Sequence, residues 1–234
     1  MAAFVVRKLD PSSAPSPAEL NNIPEMPQIE SRSSYLIQDT FTGVVTGHDP
    51  KGADNSHVGP FWVTTVVAGL LGGEVYIAET NDAEKRIVGC AVWFPPGHSM
   101  YDTEAQQVHV LMPLMASFSE ELQHWWHAVF LPKYDAFLGS VLGEGTKHNS
   151  WHLQTLAVDP QFQRKGAATL LIKEVVNKAQ LSGAKLCLEV GTEVNIEIYK
   201  RLGFELMPKG ADPRCESYEG LDGISFPMWI MTRA

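Results

Sequence analysis

The alternation of strand and helix patterns in the last third of the chain most constrains its fold. Trp151–Val158 has the pattern of a strand, and Gly166–Ser182 has that of an amphipathic helix, with Gly183 at its C-terminal cap position. A second strand pattern covers Lys185–Val190, and a short helix pattern covers Asn195–Leu202. Because strands joined through a helix pair in parallel, this order predicts an α/β fold.

Further strand patterns lie on both sides of this region: Phe4–Leu9, Glu74–Glu79, Ile87–Phe94, Phe204–Met207 and Met228–Thr232. The strand patterns Glu74–Glu79 and Ile87–Phe94 are joined by an Asn81–Asp82 turn, which predicts that these two strands pair antiparallel. Ile87–Phe94 is continuously apolar and is therefore expected at the centre of the sheet. The sequence thus predicts a mixed sheet with helices on its faces.

The segments between these strands predict loops and helices. Residues 11–27 are rich in Pro, Ser and Asn and predict a loop with at most a short helix. Phe61–Leu71 is apolar and ends at a Gly-Gly pair, which predicts a helix. Apolar residues recur at helical spacing over 118–142, where Pro132 is expected to kink or restart the helix. We expect a single domain over residues 1–234, with a helical insertion at 118–142.

The composition of the chain excludes several function classes. The net charge is −9, with no dense block of Lys and Arg, which argues against a general nucleic-acid binder. No apolar run is long enough to predict a membrane span. The 3 cysteines are odd in number and widely spaced, so neither a disulfide framework nor a zinc site is indicated. With no secretory signal pattern, the expected location is cytoplasmic, the nucleus being the open alternative.

A turn of basic and small residues separates the predicted strand at 151–158 from the helix that follows: Gln163, Arg164, Lys165, Gly166, Ala167, Ala168 and Thr169. A helix N-terminus presents unsatisfied N–H groups and a partial positive charge, which suit a pyrophosphate. The alternative is an ordinary strand-to-helix turn with solvated charges. Neither a Walker A loop nor a GxGxxG motif is present in the chain.

Two motifs carry a family resemblance. Gln163–Ala168 fits the pattern Gln/Arg-x-x-Gly-x-Gly/Ala, and Tyr199–Phe204 fits Tyr-x-x-Leu-Gly-Phe. In this order the motifs resemble the GNAT superfamily of acyl-CoA-dependent N-acyltransferases. The resemblance is sharp over residues 151–204, the expected CoA-binding core. The segment Ala91–Pro96 looks particularly like the puromycin N-acetyltransferase-like branch. The implied fold is a GNAT-like mixed, splayed central β-sheet flanked by helices.

The resemblance also implies a donor site. Acetyl-CoA is expected as the acetyl donor, lying where the strand that ends at Val158 splays from the strand Lys185–Val190. The donor would be held by the strand segment Leu156, Ala157 and Val158. The backbone amides of Leu156 and Val158 would bind its thioester carbonyl and its pantetheine arm. The basic turn at 163–169 would bind the pyrophosphate, and no metal is expected.

Two side chains of the short helix are candidates for the donor site. Tyr199 matches the family tyrosine whose phenol lies near the sulfur of CoA, where it protonates the departing thiolate. The alternative is a tyrosine that packs on the sheet. Asn195 lies one helical turn earlier on the same face, where it either hydrogen-bonds the CoA arm or caps the helix.

His152 and Glu189 are candidates for accepting a proton from the amine. His152 titrates near neutral pH, and several members of the superfamily carry a Glu or His base at this position before Leu156. In an ideal strand, His152, Gln154 and Leu156 share one face. The alternative is a histidine packed beside Trp151. Glu189 interrupts a core strand, so it either binds the substrate ammonium, relays its proton, or forms a salt bridge.

The expected function is therefore direct transfer of an acetyl group from acetyl-CoA to a primary amine of a small molecule. Two alternatives stay open: acetylation of lysine or the N-terminus in a protein or peptide, and a non-catalytic acyl-CoA-binding module. The tryptophans Trp93, Trp125 and Trp126 either line an aromatic acceptor pocket or pack in the core. The sequence does not distinguish a monomer from a homodimer, nor does it identify the amine.

Overall fold

An eight-stranded sheet organises the parts of the chain that the computed structural model describes, residues 3–10, 40–47, 56–208 and 213–234. Its strands are β1 (Phe4–Lys8), β2 (Glu74–Thr80), β3 (Ile87–Phe94), β4 (Trp151–Val158), β5 (Leu186–Val190), β6 (Glu205–Leu206), β7 (Cys215–Glu219) and β8 (Ser225–Arg233). The strand order is β1-β2-β3-β4-β5-β8-β6, and β7 pairs with residues 225–229, the first half of β8. The sequence analysis did not predict β7.

Helices cover both faces of this sheet. They are α1 (Thr40–Thr46), α2 (Val58–Gly72), α3 (Glu104–Gln106), α4 (Met112–Ser117), α5 (Glu120–Trp125), α6 (Leu131–Leu142), α7 (Ala167–Ser182) and α8 (Glu193–Arg201). A π-helical turn joins α3 to α4 at Gln107–Leu111, and a second joins α5 to α6 at Trp126–Phe130. The loop predicted at 11–27 lies outside the described residues.

The helical insertion is longer than predicted. It begins at Glu104 rather than at residue 118, since the Thr103 side chain accepts a hydrogen bond from the backbone N–H of Gln106 and caps a helix there. Pro132 is the second residue of α6, directly after the π turn at Trp126–Phe130, and the backbone is helical on both sides of it, so the helix does not restart there. The helices between β3 and β4 therefore start at Glu104, earlier than residue 118.

The predicted mixed, splayed sheet is confirmed. Of the described strands, only β4 and β5 pair in parallel, and their register covers Trp151–Leu153 against Leu186–Leu188. Beyond Leu153 the two strands have no further paired residues, whereas β3 continues to pair with β4 as far as Val158. The two strands therefore separate toward their C-terminal ends and leave a gap in the sheet.

Two apolar layers hold the sheet. On one face α7 buries Leu171, Ile172 and Val175 against the strands. The helix begins after Gly166 and ends before Gly183, and both glycines have left-handed backbone conformations. On the other face α2 packs against β2 and β3, and the insertion packs against β8. None of the helices in the described segments is both long and apolar enough to cross a membrane.

Candidate active site

A β-bulge in β4 decides which side chains reach the site. Leu153 pairs with Trp93 and Thr155 pairs with Val92, so Gln154 is an extra residue in β4. An extra residue reverses the alternation of side chains beyond it. The prediction that His152 and Leu156 share a face was therefore wrong.

The same register directs two backbone amides of β4 toward the gap. The N–H of Asp159 donates to the carbonyl of Val88 on β3 at 2.8 Å. Because hydrogen-bonded and non-hydrogen-bonded pairs alternate in an antiparallel ladder, the polar groups of Val158 and Leu156 point away from β3. These are the two amides that the sequence analysis assigned to the donor.

The basic turn at 163–169 is built to present backbone N–H groups. Arg164 and Gly166 have positive φ values of 60° and 96°, and Gly166 leads directly into α7. The Gln163 side chain donates to the carbonyl of Val158 at 3.1 Å, which fixes the turn to the end of β4. Successive N–H groups in such a turn, together with a helix N-terminus, form a concave site for an anion.

A cavity of about 880 Å³ opens at the gap between β4 and β5. It brings together most of the predicted site residues: His152, Leu156, Ala157, Val158, Gln163, Arg164, Gly166, Ala167, Ala168, Thr169, Glu189, Asn195 and Tyr199. Lys165 does not line it, because its ammonium donates to the carbonyl of Gln161 at 2.9 Å and lies 5.2 Å from the ring centre of Phe162.

A partly buried cluster of four polar side chains forms one wall of this cavity. His152 Nε2 lies 2.6 Å from one carboxylate oxygen of Glu189. The Tyr134 hydroxyl donates to the other oxygen at 2.8 Å, and Lys147 Nζ lies 3.3 Å from that same oxygen. Lys147 also donates to the Tyr134 hydroxyl. Glu189 therefore forms the salt bridge that the sequence analysis left as one alternative, and all its partners are protein groups.

The charges in this cluster follow from burial and from the neighbours of each group. Burial by itself would raise the pKa of Glu189, but His152, Lys147 and the Tyr134 hydrogen bond together hold it well below its usual range. Burial lowers the pKa of His152, and the charge of Lys147 lowers it further, against the opposing effect of Glu189. At neutral pH the cluster thus contains a carboxylate, an ammonium and a neutral imidazole.

The tautomer of His152 follows from these protonation states. An ionised carboxylate only accepts hydrogen bonds, so the Nε2 of a neutral His152 must carry the proton that it donates to Glu189. The lone pair of the imidazole is then on Nδ1. The Glu189–His152 pair consequently has the chemistry of a general base oriented by a carboxylate.

Tyr199 and Asn195 lie on α8, on the opposite side of the gap. Burial, and to a smaller extent the charge of Glu189, raises the pKa of Tyr199, so its hydroxyl keeps its proton at neutral pH. No described residue hydrogen-bonds this hydroxyl. The alternative of Asn195 as helix cap is wrong, because the Thr192 hydroxyl caps α8 by accepting from the backbone N–H of Asn195 at 3.2 Å.

No cysteine is placed to carry an acyl group. Cys90, Cys187 and Cys215 are all absent from the cavity lining. Cys187 neighbours Glu189 on β5, but burial raises the pKa of its thiol to about 12, which keeps it protonated and unreactive. Among the described residues, no three His, Cys, Asp or Glu side chains are grouped as a metal site.

Tyr134 and Lys147 are the site residues that sequence reasoning missed. They lie 55 and 42 positions before Glu189 in the chain, outside both motifs. One signal pointed toward them: a glutamate in a core strand requires a partner, and a buried carboxylate is most readily stabilised by a cation. That signal predicts a partner without identifying which residue supplies it.

The mixed sheet, with its splayed parallel pair and the cavity at the splay, matches the fold of the GNAT acetyltransferases. The chain belongs to the acetyltransferase (GNAT) family, whose model matches residues 59–204. The finer resemblance to the puromycin N-acetyltransferase-like branch stays a prediction.

Several solved structures share this fold. A mosquito arylalkylamine N-acetyltransferase like 5b matches with a TM-score of 0.57 at 14% identity, over 98% of this chain and 99% of that one. A histone acetyltransferase HPA2 and related acetyltransferase from Corynebacterium glutamicum matches with a TM-score of 0.55 at 18% identity, over 99% and 96%. A mutant agmatine N-acetyltransferase matches with a TM-score of 0.52 at 14% identity, over 98% of each chain. At these identities the likeness is one of fold.

Proposed function

We propose that this protein transfers an acetyl group from acetyl-CoA directly to a primary amine of a small molecule. The observation that carries the proposal is the meeting of three features in one cavity: an oriented base, a protonated phenol and a gap in the sheet. His152 and Glu189 supply the base, and Tyr199 supplies the phenol.

The shape of the donor half supports acetyl-CoA as the donor. The amides of Leu156 and Val158 point into the gap and can hold the thioester carbonyl without reorganisation of side chains. The turn at 163–169 offers N–H groups and the guanidinium of Arg164 to a pyrophosphate. Acetyl-CoA supplies the activated acetyl group when it is bound.

His152 removes the proton that the acceptor must lose. An ammonium has no lone pair, so it must be deprotonated before its nitrogen forms a bond to the acetyl carbon. His152 Nδ1 accepts this proton, and the Glu189 carboxylate stabilises the imidazolium that forms, at a distance of 2.6 Å from Nε2. Glu189 is thus a positioning residue, since its oxygens already accept from protein donors.

Tyr199 supplies the proton that the leaving group needs. As the bond between the acetyl carbon and sulfur breaks, the electron pair goes to sulfur and the phenol protonates the thiolate. The nitrogen loses a second proton once it is bonded to the acetyl carbon, and this proton replaces the one that Tyr199 gave to sulfur. The proton held by His152 leaves to solvent, so each turnover releases one net proton. Protein nucleophiles are not required, in accord with the absence of cysteine from the lining.

The proposal is tested with acetyl-CoA and a panel containing small primary amines and lysine peptides. CoA release measures turnover, and mass spectrometry identifies the acetylated product. We expect acetylated small amines, with turnover lost in His152→Gln and kept in His109→Gln, which changes an exposed histidine outside the cavity.

Two results would overturn the proposal. Products formed from peptides alone would identify a protein acetyltransferase. Tight CoA binding with no CoA release from acetyl-CoA, whatever the amine, would identify a binding module.

A further inference from the structure

We infer that the acceptor is a monoamine whose amino group is attached to an aromatic or similarly bulky apolar group. This inference rests on the proposed function and adds the class of amine. It is carried by the part of the cavity that lies beyond the polar cluster, on the side of the insertion.

Aromatic side chains from five elements, namely α1, α2, the second π turn, α6 and β8, line this part of the cavity: Phe41, Phe61, Trp62, Trp126, Phe130, Tyr134 and Phe226. Their rings contact one another edge to face, with centroids 5.2 Å apart for Phe41 and Phe226 and 4.9 Å apart for Trp126 and Phe130. Aliphatic residues and methionines complete the wall, among them Leu111 and Met115. We call this surface the aromatic wall.

The aromatic wall is continuous with the base. Phe130 stacks on Tyr134 with ring centroids 5.7 Å apart and planes 18° apart. The hydroxyl of that same Tyr134 donates to Glu189, which orients His152. An acceptor whose nitrogen lies at His152 therefore places the group attached to that nitrogen along the aromatic wall.

The two π-helical turns explain how the insertion supplies so much of this surface. In the second turn the N–H of Leu131 donates to the carbonyl of Trp126, five residues earlier. The wider turn lets Trp126, Phe130 and Leu131 all line the cavity. The first π turn contributes Leu111 in the same way.

The charges around the cavity oppose a second cationic group on the acceptor. Among the described residues, Glu189 and Asp135 are the carboxylates in the lining. Glu189 is neutralised by Lys147 at 3.3 Å, and Asp135 lies at an exposed position of α6. A linear diamine would bring its second ammonium against aromatic rings, whose attraction for a cation, up to about 2 kcal/mol, is smaller than the cost of removing that ammonium from water.

The inference is tested by comparing kcat/KM for 2-phenylethylamine, n-propylamine and 1,4-diaminobutane, each with acetyl-CoA. Burial of the phenyl ring predicts a kcat/KM for 2-phenylethylamine about tenfold or more above that for either aliphatic amine. Equal values, or a preference for the diamine, would overturn the inference while leaving the proposed function intact. Absence of acetylated product from every amine overturns the proposed function itself.

A pair of variants at Leu131 tests the charge argument separately. Leu131 lines the cavity and is 37% exposed, so a polar side chain is tolerated in the fold. Leu131→Glu places a carboxylate beside the aromatic wall and should lower the preference for 2-phenylethylamine over 1,4-diaminobutane by about fivefold or more. Leu131→Gln, which has the same size without the charge, should not reproduce this change. An identical effect of both variants would contradict the charge argument.

Discussion

Replacing Glu189 by glutamine keeps the shape of the side chain and changes what it offers to its partners. The carboxylate accepts from His152 Nε2 at 2.6 Å through one oxygen and from the Tyr134 hydroxyl at 2.8 Å through the other. Glutamine has one oxygen and one NH₂ group. Because Lys147 and Tyr134 both donate on one side, the amide oxygen must face them and the NH₂ must face His152.

This arrangement inverts the tautomer of His152. The NH₂ group donates to Nε2, so the proton of a neutral imidazole moves to Nδ1 and the lone pair is no longer available to the amine. General base catalysis contributes about 10²- to 10⁴-fold, so we expect Glu189→Gln to lower kcat/KM by about 100-fold or more. The free energy of unfolding should fall by about 1–3 kcal/mol, because Lys147 loses its counterion in a half-buried position.

The measurement combines three readings on the same preparation: CoA release with a saturating amine, the dissociation constant for CoA, and urea unfolding. We expect the dissociation constant to be unchanged, since the hydrogen bonds and ion pairs of Glu189 are with Tyr134, His152 and Lys147 and not with the turn at 163–169. Glu197→Gln is the matched control, because Glu197 pairs with Lys200 on the surface of α8 and lies outside the cavity. It should behave as the unsubstituted protein in all three readings.

An unchanged kcat/KM in folded Glu189→Gln would refute the argument from the tautomer. A weaker affinity for CoA with an unchanged kcat would also refute it, since that result would place Glu189 in the donor site instead.

Three further substitutions test other parts of the site, and a fourth, outside it, serves as a comparison. Lys147→Met removes a positive charge that lowers the pKa of His152, so we expect that pKa to rise. The fall of kcat/KM at acidic pH should then begin at a higher pH than in the unsubstituted protein. An unchanged pH profile would contradict this expectation. Tyr199→Phe should lower kcat by about 100-fold with CoA affinity unchanged, and an unaffected kcat rules out its role as acid. Gly166→Ala, at φ 96°, should lower the free energy of urea unfolding by about 1–2 kcal/mol. In contrast, Gly59→Ala in helix α2 should raise it by up to about 1 kcal/mol.

The elements of the last third of the chain were predictable because their ends are marked by strong local signals. Gly166 and Gly183 both have left-handed backbone conformations, which a glycine adopts without strain. β4 was predicted at its observed bounds, and α7 within one residue. The turn between them carries one of the two motifs, and the other begins on α8, so most of the residues proposed to bind the donor were predicted from the sequence.

The part of the cavity proposed to bind the acceptor was less predictable because it depends on irregular geometry. The bulge at Gln154 adds a residue without changing the apolar character of β4, so side-chain alternation gave His152 and Leu156 the same face. The π turn at Gln107–Leu111 breaks the period of 3.6 residues that identifies a helix, and Pro113 has the appearance of a breaker. The start of the insertion was missed for these two reasons.

Local sequence patterns also do not predict contacts between residues that lie far apart in the chain. Tyr134 and Lys147 meet Glu189 only once the insertion has folded over β5. β7 was missed because its sequence, Cys-Glu-Ser-Tyr-Glu, has one buried residue, Tyr218, and lacks the apolar content of the other strands.

The second π turn gives the insertion one more residue beside the cavity without turning the helix that follows. A π turn holds one residue more than an α-helical turn, and the extra residue widens the turn instead of advancing the helix by about 100°. Leu131 lies one turn after Trp126, since its N–H donates to the Trp126 carbonyl, and it would keep that place if one residue of the turn were deleted. Tyr134 would therefore still face Glu189 in the shortened chain, and only the aromatic wall would change. The surface proposed to meet the acceptor can thus vary in length while the base keeps its partners.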